Sequence, residues 1–252
     1  MPTAEKVTLH VLPPSHPCMT ARAALEYKGV EFELVTLDFA TFGDTMEQVY
    51  GPGNRTVPGM TIGDQPIHKS VAILERIDRE YPENPLYPEP VGEAVREAEL
   101  WANGDLQDLG RRLSWGALRF RPEAAGTMAG GQPLDPAGTD YAMKLIHGTW
   151  KYHGISAVRL ADDLKLLPSL IARVDGFAER GLIDGNQPTA ADFQIGATAR
   201  VLLTVGDLRP LLDGTAAERI ALRFFPDYGL DIPAGAFPED WVVDELPATA
   251  DG

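Results

Sequence analysis

The chain has 252 residues, 44% of them hydrophobic and 23% charged, with 37 acidic against 22 basic side chains and a formal net charge of −15. That is enough apolar sequence for one large globular domain or two ordinary ones, and the acidic balance supplies no positive field with which to hold a nucleic acid or an anionic membrane. Cys18 is the single cysteine, which excludes an intramolecular disulfide and a cysteine-built zinc site and fits a reducing compartment. No window reaches the roughly 18 apolar residues of a spanning helix, and the first nine residues lack a signal peptide's apolar run, so a soluble, cytoplasmic protein is expected.

Val7 to Leu12 alternates apolar and polar residues, Pro13-Pro14 breaks that strand, and Ser15-His16-Pro17 reads as a helix start with proline in the first turn. Cys18, Ala21, Ala24 and Leu25 keep helical spacing up to Gly29, and Phe32 to Leu37 reads as a second strand, completing a βαβ unit. The stretch from Phe39 to Asn54 is expected to be a loop with a short helix. Gly63-Asp64 between Met60–Ile62 and Gln65–His68 predicts a hairpin. Ser70 is placed to cap a helix carrying Val71, Leu74, Ile77 and Tyr81 until Pro82.

The order βαβ then ββα predicts an α/β thioredoxin-like domain over residues 1–85, followed by a proline-rich linker at 86–92. Helical stripes at 91–119, 139–163, 168–181, 189–205 and 214–224 predict an all-α domain over 93–226. The last 26 residues, 227–252, hold seven acidic side chains and no basic one and read as an acidic tail that Phe237 and Trp241 could anchor.

Three features invite chemistry. At Ser15 the helix N-terminus offers unpaired N–H groups and partial positive charge. A hydroxyl there can donate to a bound sulfur and draw a thiol's pKa from about 8.5 toward neutrality; a plain helix cap is the simpler role. At Val57-Pro58 a cis peptide would turn backbone groups outward for an extended peptide. At Ser70 a hydroxyl and N–H groups can hold a carboxylate, or merely cap the helix. All three fall at the same edge of a βαβββα sheet. His16 beside Ser15 could tune a thiolate or be a solvated loop residue. His10, His68, His147 and His153 form no metal-ligand spacing, and no metal is expected.

Ser15-His16-Pro17-Cys18 followed by Arg22 to Val30 resembles the active-site segment and "R-x-x-L-x-x-K-G" helix of the glutathione transferase superfamily. Arg55 to Met60 resembles its "V-P" segment, His68 to Ile73 its "E-S-x-A-I" segment, and Asp184 to Phe193 its "G-x-x-P-T-x-A-D-F" helix start. In that last segment Thr189 and Asp192 have capping-box spacing, a folding element with no catalytic role. The resemblance implies Ser15 as the catalytic hydroxyl, a cis Pro58, Val57 pairing with the tripeptide backbone and Ser70 holding the γ-glutamyl carboxylate. Lys69 departs from the acid or glutamine usual there and points to an additional carboxylate or a different small thiol.

These implications describe an enzyme with glutathione, or a related thiol, as co-substrate and a small electrophile as partner. The electrophile would lie between the domains, with Trp101, Trp115, Phe120 and Tyr152 as candidate lining residues or plain core. A homodimer follows by resemblance. Two alternatives stand beside it: a binding or interaction protein on the same fold without turnover, and thiol–disulfide exchange through Cys18, which sits where the glutaredoxin pattern has its resolving cysteine but has no dithiol partner.

Overall fold

The computed structural model describes residues 5–129 and 131–242. Val7–Val11 (β1), His16–Tyr27 (α1) and Glu33–Thr36 (β2) open the chain, with β1 and β2 parallel from Thr8 opposite Glu33 to Val11 opposite Thr36. In β1 the alternation foreseen from sequence is visible in burial: Val7, Leu9 and Val11 face the core while Thr8 and His10 are half-buried. Phe42–Tyr50 (α2) precedes the hairpin of Gly59–Ile62 (β3) and Gln65–His68 (β4), then Ser70–Glu80 (α3). The hairpin turns at Gly63, whose φ of 55° is one that side chains resist. The sheet order is β2-β1-β3-β4, mixed, as in thioredoxin-like folds.

One partly buried ion pair fixes the way out of this layer. Lys28, one residue past α1, has a fully buried side chain whose Nζ donates to Asp78 Oδ1 at 2.6 Å and to the carbonyls of Glu83 and Asn84 at 2.9 and 3.1 Å. Asp78 in turn accepts from the Leu86 N–H at 2.7 Å, so the proline-rich stretch leaves α3 along one path. Leu86 is fully buried, and its carbonyl accepts from Ala190 N–H at 3.0 Å.

The rest of the described chain is helical: Gly92–Trp101 (α4), Gln107–Phe120 (α5), Pro136–Tyr152 (α6), Ala157–Glu179 (α7), Ala190–Leu202 (α8), Arg209–Leu212 (α9) and Ala216–Phe224 (α10). α8 is the pillar of this layer, with every residue but Arg200 buried. Its start has the capping box foreseen from Thr189 and Asp192: Asp192 Oδ2 accepts from Thr189 N–H at 2.8 Å, and Thr189 Oγ1 accepts from Asp192 N–H at 3.4 Å.

Two helical expectations are corrected. The stripe at 91–119 is two helices joined by a π-turn at Ala102–Leu106. The extra residue rotates the following face by about 100°, and Gln107 and Gly110 come to face α8. The stripes at 139–163 and 168–181 are divided elsewhere: α7 runs through Pro168. Burial of Leu160, Leu164, Leu167, Ile171 and Val174 along one face, each contributing about 1.5–3 kcal/mol, outweighs the roughly 3 kcal/mol a mid-helix proline costs.

Of the acidic end, residues 227–242 pack on the helical layer as a strap, and the remainder lies outside the described residues. Asp207 accepts from the N–H groups of Gly235, Ala236 and Phe237 at 2.5, 2.8 and 3.2 Å. Phe237 and Trp241 meet the Phe120 ring edge-on at 6.3 and 6.5 Å between centroids. A backbone ring of paired groups and an aromatic cluster thus outweigh the charge of this segment.

Candidate functional site

The sheet register brings the three predicted features together. β1 and β3 are antiparallel with His10 opposite Gly59, so the chain leaving β1 toward Ser15 lies beside the chain entering β3 from Val57-Pro58. β3 and β4 pair Gly59 with His68, which sets Lys69 and Ser70 next to Pro58; the Lys69 N–H donates to the Pro58 carbonyl at 3.1 Å. The N-termini of α1 and α3 therefore open at one edge.

Ser15 is the N-cap residue of α1 and is half-buried, yet its hydroxyl accepts no cap hydrogen bond from the helix. A capping role is thus not what its side chain does. Its N–H donates to Leu12 O at 2.9 Å and its carbonyl receives the N–H groups of Cys18 and Met19 at 3.0 and 3.1 Å, which fixes the backbone and leaves the hydroxyl as the adjustable group.

Val57–Pro58 is a cis peptide, as the resemblance implies. Neither the N–H nor the C=O of Val57 has a hydrogen-bond partner among the described residues. The preceding residue is clamped: His68 Nε2 donates to the Thr56 carbonyl at 2.7 Å. A short free edge on a fixed loop suits an added extended strand.

At the start of α3 the structure departs from expectation. Lys69, not Ser70, is the N-cap, with φ 79° and ψ 148°, a conformation costly for a residue with a side chain. Its side chain is exposed and has no ion-pair partner among the described residues. Ser70 is 2% exposed and faces away from solvent, its Oγ donating to Gln194 Oε1 of α8 at 3.2 Å. Gln194, fully buried, donates from Nε2 to Gln107 Oε1 of α5 at 2.8 Å.

Two further candidates are buried. His16 is buried at the α1–α8 contact with Nδ1 3.3 Å from Thr198 Oγ1, and burial, followed by electrostatic interaction with Arg111 and then His153, holds its pKa well below the ordinary value. It is a buried residue of the helix start and not a solvated loop histidine. Cys18 is buried, and that burial pushes its thiol up to about 11 against hydrogen bonding from Ser15 and the Leu12 backbone. A thiol at neutral pH is a poor nucleophile and exchange partner.

Helices distant in sequence supply groups that no local pattern announced. Tyr228 of the strap donates its hydroxyl to the Pro14 carbonyl at 2.7 Å, closing the strap onto the loop that carries Ser15. Arg111 of α5 pairs with Asp108 at 2.6 Å and acts electrostatically on both His16 and His153; burial, then Arg111, pushes His153 down to about 4. Of the aromatic candidates, Trp101 is core, edge-on to Phe177 at 5.2 Å. Trp115 is half-buried with its carbonyl bonded to Trp150 Nε1 at 2.8 Å, and Phe120 and Tyr152 are exposed. Among the described residues no His, Cys, Asp and Glu side chains cluster as a metal site, and no helix is long and apolar enough to cross a membrane.

A thioredoxin-like sheet with a serine at the first helix start and a cis-proline loop beside it, backed by an all-helical layer, defines the glutathione transferase architecture. Residues 9–85 match the family described as "Glutathione S-transferase, N-terminal domain". Solved structures of similar fold include the β-etherase LigF from Sphingobium sp. strain SYK-6, at 17% identity and a TM-score of 0.59 over 86% of this chain and 99% of that one. Glutathione transferase GSTFuA2 from Phanerochaete chrysosporium is 15% identical with a TM-score of 0.62 over 90% and 100%. A glutathione S-transferase from Methylobacterium radiotolerans, solved in complex with glutathione sulfonate, is 22% identical with a TM-score of 0.52 over 90% and 95%. At these identities the likeness is one of fold.

Proposed function

We propose that this protein binds glutathione or a related small thiol along the edge formed by Ser15, Val57 and the start of α3, and that Ser15 activates the sulfur for attack on a small electrophile. The observation that carries this reading is the convergence of a half-buried serine hydroxyl that caps no N–H of its helix with the backbone of Val57, unpaired among the described residues, at one sheet edge. The Val57 N–H and C=O pair with the cysteinyl backbone of the thiol peptide, its sulfur rests at the α1 N-terminus, and the Ser15 hydroxyl donates to the thiolate. Hydrogen bonding and the helix end both favour the anion over the thiol. The similar protein solved with glutathione sulfonate supports the ligand class. Lys69, a cation with no ion-pair partner among the described residues where an acid or glutamine is usual, favours a thiol carrying an additional carboxylate at that end, or a different small thiol.

The second reading, a binding protein without turnover, is favoured by the commitment of Ser70 to Gln194. Calorimetry with glutathione and an assay with a generic aromatic electrophile separate the two. Ser15→Ala is expected to lower kcat/KM by about 10- to 100-fold, the worth of a hydrogen bond to a charged group, with thiol affinity little changed and the pH–rate profile moved to higher pH. Unchanged turnover in Ser15→Ala refutes the activation role, and binding without turnover in the wild type selects the second reading.

A further inference from the structure

We propose that Gln194 sets the strength of carboxylate capture at the start of α3 by holding the Ser70 hydroxyl. This rests on the reading of that edge as a thiol-peptide site and names a residue of α8 as its affinity control.

A serine hydroxyl has one proton to donate. In this structure that proton goes to Gln194 Oε1 at 3.2 Å. The amide cannot turn freely to release it, because Gln194 Nε2 is engaged by Gln107 Oε1 at 2.8 Å, and Gln107 is itself buried just past the π-turn. A ligand carboxylate can recruit the hydroxyl only by breaking the bond to Gln194. Gln194 is fully buried, so its Oε1 would then lack a donor and have no water in reach. Leaving a buried acceptor unsatisfied weakens the bound state by roughly one to two orders of magnitude in affinity. The N–H groups of α3 remain available, so the carboxylate is held weakly and not excluded.

The chain Ser70–Gln194–Gln107 also crosses from the sheet layer to two helices of the other layer. Arrival of a carboxylate at α3 therefore loosens one α3–α8 bond, and the polarity of the three groups decides the sign. An amide turned the other way would donate to Ser70 Oγ, free its proton for the ligand, and make Gln194 a helper.

The test is calorimetry of glutathione binding to wild type, Gln194→Met, Ser70→Ala and Ser70→Ala/Gln194→Met, with Gln107→Met as a second way to loosen the amide should Gln194→Met not fold. Gln194→Met is expected to bind glutathione about 10-fold or more tightly than wild type, Gln107→Met to shift in the same direction, and the two Ser70→Ala proteins to match each other. Unchanged or weaker binding in Gln194→Met, with measurable wild-type binding, overturns the inference and leaves the site reading standing. Absence of binding in wild type and every variant overturns both.

Discussion

Glu99 offers the sharpest test of the energetics. It lies on α4, fully buried, with Oε2 accepting from the Tyr87 hydroxyl at 2.7 Å and Oε1 without a partner among the described residues. Burial pushes its carboxyl up to about 8, opposed by the Tyr87 hydrogen bond, reinforced by Glu75 and opposed again by Arg96, itself ion-paired to Glu75. Measured from the ordinary 4.5, the displacement amounts to about 5 kcal/mol at 1.36 kcal/mol per pH unit. Between those two pH values the folded protein keeps a proton that the unfolded chain has released, so stability falls as pH rises through the window and the loss is complete above pH 8. Glu99→Gln keeps the acceptor for Tyr87 and cannot ionise. It should match wild type near pH 4.5 and exceed it by about 3–5 kcal/mol at pH 9, read from urea unfolding at several pH values. His10, His16 and His153, whose lowered pKa values tilt stability the other way, are common to both proteins and cancel in the difference. Parallel curves for the two proteins would refute the reasoning.

Lys28→Met removes the cation paired with the partly buried Asp78 and should cost about 3 kcal/mol in urea unfolding, the low end for an orphaned buried charge; a loss below about 1 kcal/mol would show that the Leu86 N–H suffices for Asp78. Asp207→Ala strips the acceptor from three strap N–H groups, so hydrogen exchange at 235–237 should rise by about 10-fold or more while α8 stays protected. Equal protection in the two proteins would mean that the aromatic contacts of Phe237 and Trp241, with the Arg121 bond to the Gly235 carbonyl, hold this part of the strap without Asp207.

The sheet layer was legible because its signals are local. Alternation marks β1, Gly63-Asp64 the hairpin, and the strand order follows from βαβ then ββα; the common edge of Ser15, Pro58 and Ser70 is then a consequence of register. The capping box at Thr189 and Asp192 was legible for the same reason. What sequence could not show was orientation. His16 and Ser70 each begin a helix on the ligand side, yet both face α8, through partners more than 120 residues away. The π-turn is likewise hidden, since an apolar stripe rotated by one residue still reads as helical. The strap was obscured by composition: its acidic residues suggest solvent, whereas its anchors are the backbone N–H groups that converge on Asp207.

The two serines make the division of labour in this site concrete. Each opens a helix at the same sheet edge, so the helix N-terminus favours negative charge equally at both. Their hydroxyls differ: that of Ser15 is half-buried and caps no helix N–H, that of Ser70 is buried and donates to Gln194. Under the proposed function, ionisation of the thiol depends on the first and retention of its far carboxylate on the second, and the two are about as separable as side chains on different helices can be. A weak hold on the carboxylate is a loss of binding shared by ground and transition states, which raises KM and leaves kcat in place. Under that proposal a higher KM with kcat unchanged would mark a site tuned for abundant thiol, and an absence of turnover the binding protein. On the inference drawn above, the glutamine pair in the helical layer sets that hold, since Gln194 is the group that takes the Ser70 proton.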